Sequence, residues 1–189
     1  LDENEFMVFG SGAAQEMHRR WFESHLDKFN LNYKNRSDEF HGLSIAGPNS
    51  RKVLEKIVRD DVSNEKFKFR DSRRMFVGGV PALVNRISFT GELGYEIYVA
   101  PHYQLKLYEE LIEAGKEFNI KPFGGRALMS MRLEKNWGAW TLDYRPDFTA
   151  KETGLDAFIN WDKEFIGKES AQKENSSNKL IPLIVETND

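Results

Sequence analysis

The chain has 189 residues, which fits one large domain or two small ones, and its 40% apolar content supports a packed core. A net charge of -3 and a pI near 5.9 lack the basic footprint that nonspecific nucleic-acid binding needs. The absence of cysteine excludes disulfides, thiolate zinc sites and cysteine nucleophiles, and is compatible with the expected cytoplasmic location. No run approaches the ~20 apolar residues of a membrane span, and no signal-peptide pattern opens the chain.

The chain begins at Leu1 without an initiator Met and stops soon after a strand-like run, so both ends read as cut from something longer. Residues 6–9 (FMVF) predict a strand, Gly10-Ser11-Gly12 a backbone-exposing turn, and residues 13–27 a helix with Met17, Trp21, Phe22 and Leu26 near helical spacing. Strands are predicted at 31–35 and 41–46, ending at Gly47-Pro48. Pro48 suits the first turn of a helix reaching about residue 59, with Val53, Leu54, Ile57 and Val58 as its apolar stripe. This order predicts an α+β fold with a ferredoxin-like or split βαβ layer. Residues 67–69 and 75–77 read as extended. Gly78-Gly79 is a turn before a strand run at 80–89, and the stretch 86–99 then forms a hairpin. Helices are predicted at 101–118, 126–136 and 168–173, a polar aromatic loop at 142–153, a linker at 174–178, and a last strand at 181–189. The expected division is 1–70, 71–175 and 176–189, the last being a linker and the first strand of a further domain. No internal repeat is visible.

Alternation in the hairpin puts Tyr95, Ile97 and Val99 on one face and Glu96 and Tyr98 on the other. A carboxylate inside an aromatic strand needs a partner. It accepts two parallel donors in a fork, as from an arginine or from the guanidine-like edge of a pterin or guanine. The competing reading is a cross-strand ion pair with Arg86 or another base. Elsewhere the signals are plain. Asp60-Asp61 before Val62-Ser63-Asn64 reads as turn chemistry. Arg70, Arg73 and Arg74 read as a solvated face. The four histidines show no metal-ligand spacing. Gly10-Ser11-Gly12 lacks the third glycine of a dinucleotide fingerprint, because Gln15 stands there, and reads as a close backbone approach. Ser44 lies in G-L-S-I-A-G, outside a nucleophile elbow. Trp137 and Trp140 form a W-x-x-W pair able to wall a flat ligand, against the commoner reading of core packing.

Three separated motifs, F-T-G-E-L-G-Y-E-I, M-R-L-E-K-N-W-G-A-W and D-K-E-F-I-G-K-E-S-A, resemble the aminomethyltransferase family. That family includes the glycine cleavage T protein and the folate-binding portions of dimethylglycine and sarcosine dehydrogenases and oxidases. G-S-G-A-A-Q-E-M-H-R-R-W-F-E-S-H and the Tyr144-Arg145-Pro146 loop are similar to the dehydrogenase branch. The resemblance implies the aminomethyltransferase folate-binding fold, tetrahydrofolate as cofactor, and one-carbon transfer ending in 5,10-methylenetetrahydrofolate. It implies a small methylated-amine or aminomethyl donor as the other partner.

By the same resemblance Glu96 grips the pterin, and Phe89, Tyr95 and Trp140 are candidate aromatic walls. Gly10, Ser11 and Gly12 are candidates for backbone contacts. Phe89 stands where the family has a tyrosine, so the ring is kept and the phenolic hydroxyl is not. The family's ligand-contacting arginine falls on Leu128; Arg126 is the nearest candidate, turned away by about 200° on a helix. The family's acidic residue falls upstream of Leu1, and its last domain beyond Asp189. No flavin site is present in the sequence, and a flavin dehydrogenase domain is expected upstream. The alternatives are a folate-binding module without catalysis of its own and a folate-dependent demethylase acting on a methylated sulfur or oxygen.

Overall fold

The computed structural model describes residues 4–140 and 142–186. The helices are α1 (Gln15–Glu23), α2 (Ser50–Glu55), α3 (Gln104–Gly115), α4 (Gly125–Glu134) and α5 (Lys168–Gln172). The strands are β1 (His41–Ala46), β2 (Ser72–Val77), β3 (Val80–Asn85) and β4 (Gly94–Val99). The chain divides into two compact units, Arg36–Trp137 and Leu1–Asn35 with Gly138–Asp189.

The unit Arg36–Trp137 is α+β. Its four strands form an antiparallel sheet in the order β1-β4-β3-β2. A split βαβ layer places a single strand between two parallel ones. Here two strands, β4 and β3, lie between β1 and β2. Because β1 and β2 share this sheet, residue 70 lies inside one unit. Period-2 alternation sends Ile45, Met75, Val77, Ala82, Val84, Tyr95, Ile97 and Val99 into the core. Val53 and Leu54 of α2 and Leu107, Leu111 and Ala114 of α3 complete it. β2 and β3 turn through Gly78 and Gly79, with φ of +57° and +80°, between the paired Val77 and Val80. Positive φ at both turn residues matches the right-handed twist of the flanking strands. Gly78 also lies against α3: a Cβ there would come within 2.5 Å of Glu110 Cγ.

Several expected elements are shorter or missing. Residues 6–9 and 31–35 belong to no strand; the four-stranded sheet is built from β1 to β4, and Phe6, Val8 and Leu31 are exposed. Residues 67–69 are likewise not a strand. The helix expected at 13–27 is α1 with short 3-10 turns on either side. Its last turn is closed by Ser24 Oγ, which donates to Trp21 O at 2.8 Å, with His25 Nδ1 also 2.8 Å from that oxygen. Competition from such side chains ends helices. The helix expected to reach residue 59 stops at Glu55. Ile57 and Val58 donate to Leu54 O, and Ile57 O accepts from Gly78 N, so the chain turns to meet the sheet. Strand β3 ends at Asn85, and residues 86–93 form an open connection. Residues 181–186 form no strand, and the remainder of the expected last strand, 187–189, lies outside the described residues.

In the other unit, Glu152 is a hub. Its carboxylate accepts from Thr149 N at 2.9 Å, Ser176 Oγ at 2.5 Å and Asn178 Nδ2 at 3.2 Å. Its carbonyl accepts from Leu180 N at 2.7 Å. The Ser176 hydroxyl first, then the Thr149 amide, lower the carboxyl to about 2 from its ordinary 4.5. A depressed carboxylate stabilises the fold above its unfolded value, and the contribution is lost as the pH falls through the folded value. Protection of the Leu180 amide, corrected for intrinsic exchange, is therefore expected to fall between about pH 5 and about pH 2. Glu152→Gln is expected to flatten that dependence. Equal protection across the range in the wild type would contradict this role.

Candidate functional site

β4 carries Glu96 on the sheet face opposite the core. Register places it between Ser44 of β1 and Asn85 of β3. Asn85↔Glu96 is also the last pair before β3 and β4 part. Glu96 thus sits at the mouth of the 86–93 connection, which carries the half-buried Phe89.

That connection is tightly held. Ser88 Oγ and Thr90 Oγ1 are 2.8 Å apart, and Thr90 is buried. Gly91 has φ +73° and lies against Lys135, which pairs with Glu92 at 3.1 Å. Gly94 admits no side chain: a Cβ would meet Ser88 Cβ at 2.7 Å and the Ile45 carbonyl oxygen at 2.8 Å. Leu93 O accepts from Gly47 N at 2.8 Å and from Ser50 Oγ at 2.9 Å, which ties the connection to the start of α2.

Glu96 does not pair with Arg86. Arg86 turns away, donating to Phe67 O at 2.5 Å and to Asn64 Oδ1 at 2.6 Å. Arg51 reaches the same Asn64 oxygen at 2.7 Å, and Arg73 donates to Asp61 O at 3.1 Å and also to Lys66 O. Three guanidinium groups therefore brace the backbone of residues 61–67, so Arg73 is a structural group, whereas Arg70 and Arg74 are exposed. Asp61 performs the expected turn chemistry: its Oδ1 accepts from Ser63 N at 2.9 Å, and the Ser63 side chain and amide lower its carboxyl below the usual range. The partner of Glu96 is Tyr98, whose Oη donates to Glu96 Oε2 at 2.7 Å. Among the described residues, Oε1 accepts no hydrogen bond.

Tyr95 points the other way. It is 0% exposed, stacks on Phe67 with ring centroids 6.0 Å apart, and accepts from Arg51 Nε at 3.2 Å. The one-residue step along β4 that turns Glu96 to the other face buries Tyr95, so Tyr95 is a core residue and not an exposed wall. Arg126 is exposed in the first turn of α4, and Leu128, two residues on, is half-buried.

Gly10, Ser11, Gly12 and Trp140 belong to the other unit. There Gly10 and Trp140 both approach His18. A Cβ on Gly10 would meet His18 Nδ1 at 2.7 Å, and the His18 and Trp140 rings are 5.7 Å apart. Trp140 stays half exposed, held by a turn in which Ala139 O accepts from Asp143 N at 2.9 Å and Tyr144 N at 3.1 Å. Among the described residues no group of three or more His, Asp or Glu is placed to hold a metal. No helix among them is long and apolar enough to cross a membrane.

The sequence reading put Tyr98 on the face of Glu96 by alternation but gave it no role. Nothing local marks the approach of Gly42 to Tyr98 across β1 and β4, nor, in the other unit, that of His18 to Trp140.

The fold defines the class: an α+β domain whose four-stranded antiparallel sheet carries a carboxylate, Glu96, on the face away from its core. Residues 1–163 match the GCVT N-terminal domain family, and the chain belongs to that family. It is 36% identical over 193 residues to the mitochondrial dimethylglycine dehydrogenase of Homo sapiens, a match covering 98% of this chain and 22% of that protein. It is 32% identical over 174 residues to the aminomethyltransferase of Thermoanaerobacter pseudethanolicus, covering 91% of this chain and 47% of that protein. The chain therefore spans about a fifth of the one relative and about half of the other. Among solved structures, the heterotetrameric sarcosine oxidase from Corynebacterium sp. U-96 in complex with pyrrole 2-carboxylate aligns with a TM-score of 0.48 and 20% identity, over 62% of this chain and 56% of that one.

Proposed function

We propose that this chain supplies the pterin-gripping part of a tetrahydrofolate-dependent one-carbon transferase of the dimethylglycine or sarcosine dehydrogenase type. The observation that carries the reading is Glu96, a half-buried carboxylate on the sheet face away from the core, whose expected ion-pair partner, Arg86, is engaged elsewhere. A pterin offers a ring N–H and an amino group side by side, and a carboxylate matches that pair with two parallel acceptors. Phe89, on the adjoining connection, provides a ring for packing against a flat heterocycle.

Bound tetrahydrofolate supplies the nitrogens that take up a one-carbon unit. Glu96 holds the far edge of the pterin and fixes its orientation, and Phe89 packs against it and excludes water. Positioning of this kind raises rates by pre-paying entropy. A small methylated-amine or aminomethyl compound is the donor in this reading, and a flavin dehydrogenase domain is a partner. A cytoplasmic location accords with the cysteine-free composition. A second reading, a folate-binding module without catalysis of its own, is favoured by Phe89, which brings no hydroxyl for proton transfer.

Calorimetric titration of the chain with tetrahydrofolate tests the common core of both readings. Saturable binding that weakens when the 2-amino group of the pterin is removed is the expected result. Absence of binding at millimolar ligand, or indifference to the 2-amino group, rules it out.

A further inference from the structure

We propose that Tyr98 is a positioning residue for Glu96, and that the pair turns this patch of the sheet into an array of acceptors selecting a two-donor ligand edge. The ligand half of this inference rests on the folate reading above; the positioning half does not.

Tyr98 and Glu96 are two apart on one strand, so both side chains leave the same face. A tyrosine standing upright on a sheet carries its hydroxyl away from its neighbours. To reach the residue two back, the ring must lie down along the sheet, over a neighbour with little or no side chain. Gly42 is that neighbour. It is the register partner of Tyr98 across β1 and β4, and a Cβ on it would come within 3.0 Å of Tyr98 Cε1 and 3.2 Å of Cδ1. Leu83, the partner of Tyr98 on the other side, is buried. The ring thus lies along the strand, and Oη reaches Glu96 Oε2 at 2.7 Å, the length of a charge-assisted O–H···O⁻ bond.

The bond fixes the rotamer of a long, flexible carboxylate before any ligand arrives, which lowers the ordering cost of binding. It also sets the polarity of the patch. Burial, and then the hydrogen bond to Glu96, push the Tyr98 phenol well above the usual tyrosine range, so its proton stays in place. With that proton committed to Glu96, Tyr98 Oη has no second proton to donate. Glu96 Oε1 and Tyr98 Oη are then both acceptors, and a ligand edge bearing acceptors of its own meets no complementary donor from them.

Two measurements on the full chain test this. The Tyr98 13Cζ resonance reads the positioning half: it is expected to move in Glu96→Gln and in Gly42→Ala with the fold retained, and a resonance unmoved in Glu96→Gln overturns the contact. Binding reads the other half, as the ratio of Kd for 2-deamino-tetrahydrofolate to Kd for tetrahydrofolate. Tyr98→Phe is expected to lower that ratio about threefold to tenfold, the scale of one hydrogen bond. In a Glu96→Gln background it is expected to change nothing further. Equal weakening toward both ligands, or the same loss with and without the Glu96 carboxylate, leaves Tyr98 a merely structural group and overturns the selection. If tetrahydrofolate binding is indifferent to Glu96→Gln, the folate reading and the ligand half fall together, while the 13Cζ resonance still decides the positioning half.

Discussion

Glu96→Gln is expected to weaken tetrahydrofolate binding by roughly 1.5–3 kcal/mol, about one to two powers of ten in Kd. The substitution keeps the size of the side chain and one acceptor oxygen. It removes the charge and replaces the other acceptor with a donor, so one arm of the two-donor contact becomes a donor facing a donor. The fold has little stake in this residue. Glu96 lies on the face away from the core, and its contact among the described residues is with Tyr98 on the same strand. Thermal unfolding of the variant should therefore sit close to that of the wild type, while the titration with tetrahydrofolate shifts. Unchanged affinity in a folded variant would remove Glu96 from the binding surface.

Tyr95→Ala is expected to have the opposite profile, a large loss of stability. Tyr95 is fully buried among Phe67, Ile97 and Val84, and truncating an aromatic residue in such a place costs about 3–5 kcal/mol. Tyr95→Phe keeps the stack on Phe67 and removes only the oxygen that accepts from Arg51, so it is expected to cost about 1 kcal/mol in urea unfolding. Its tetrahydrofolate affinity should match the wild type, since the hydroxyl faces α2 and the 61–67 segment. A Tyr95→Phe variant with normal stability and impaired binding would restore Tyr95 as a ligand wall. Together the two expected results would divide packing from binding within one peptide unit, at residues 95 and 96.

That division was half legible in the sequence. Alternation along residues 94–99 assigns Glu96 and Tyr95 to opposite faces, and the apolar companions Ile97 and Val99 mark which face is the core. That pattern makes Tyr95 a core residue, not a ligand wall. The partner of Glu96 was not legible. Arg86 is near in sequence and opposite in charge, yet its guanidinium is taken up by the Phe67 carbonyl and the Asn64 side-chain oxygen. Strand predictions failed at 6–9 and 31–35, apolar or alternating runs that join no strand of the four-stranded sheet. Strand pairing is a property of two segments, and period-2 patterning reports on only one.

By itself, then, the sequence determined the family, the alternation that puts Glu96 on the face away from the core, and the turn at Gly78-Gly79, because each is written in local spacing or in the identity of single residues. The tertiary structure alone decided that Arg86 braces a loop, that Gly42 makes room for the Tyr98 ring, and that Gly10 and Trp140 meet at His18. These are contacts between segments far apart in the chain. Sheet register and close packing bring such segments together, and no local pattern encodes which atoms then meet.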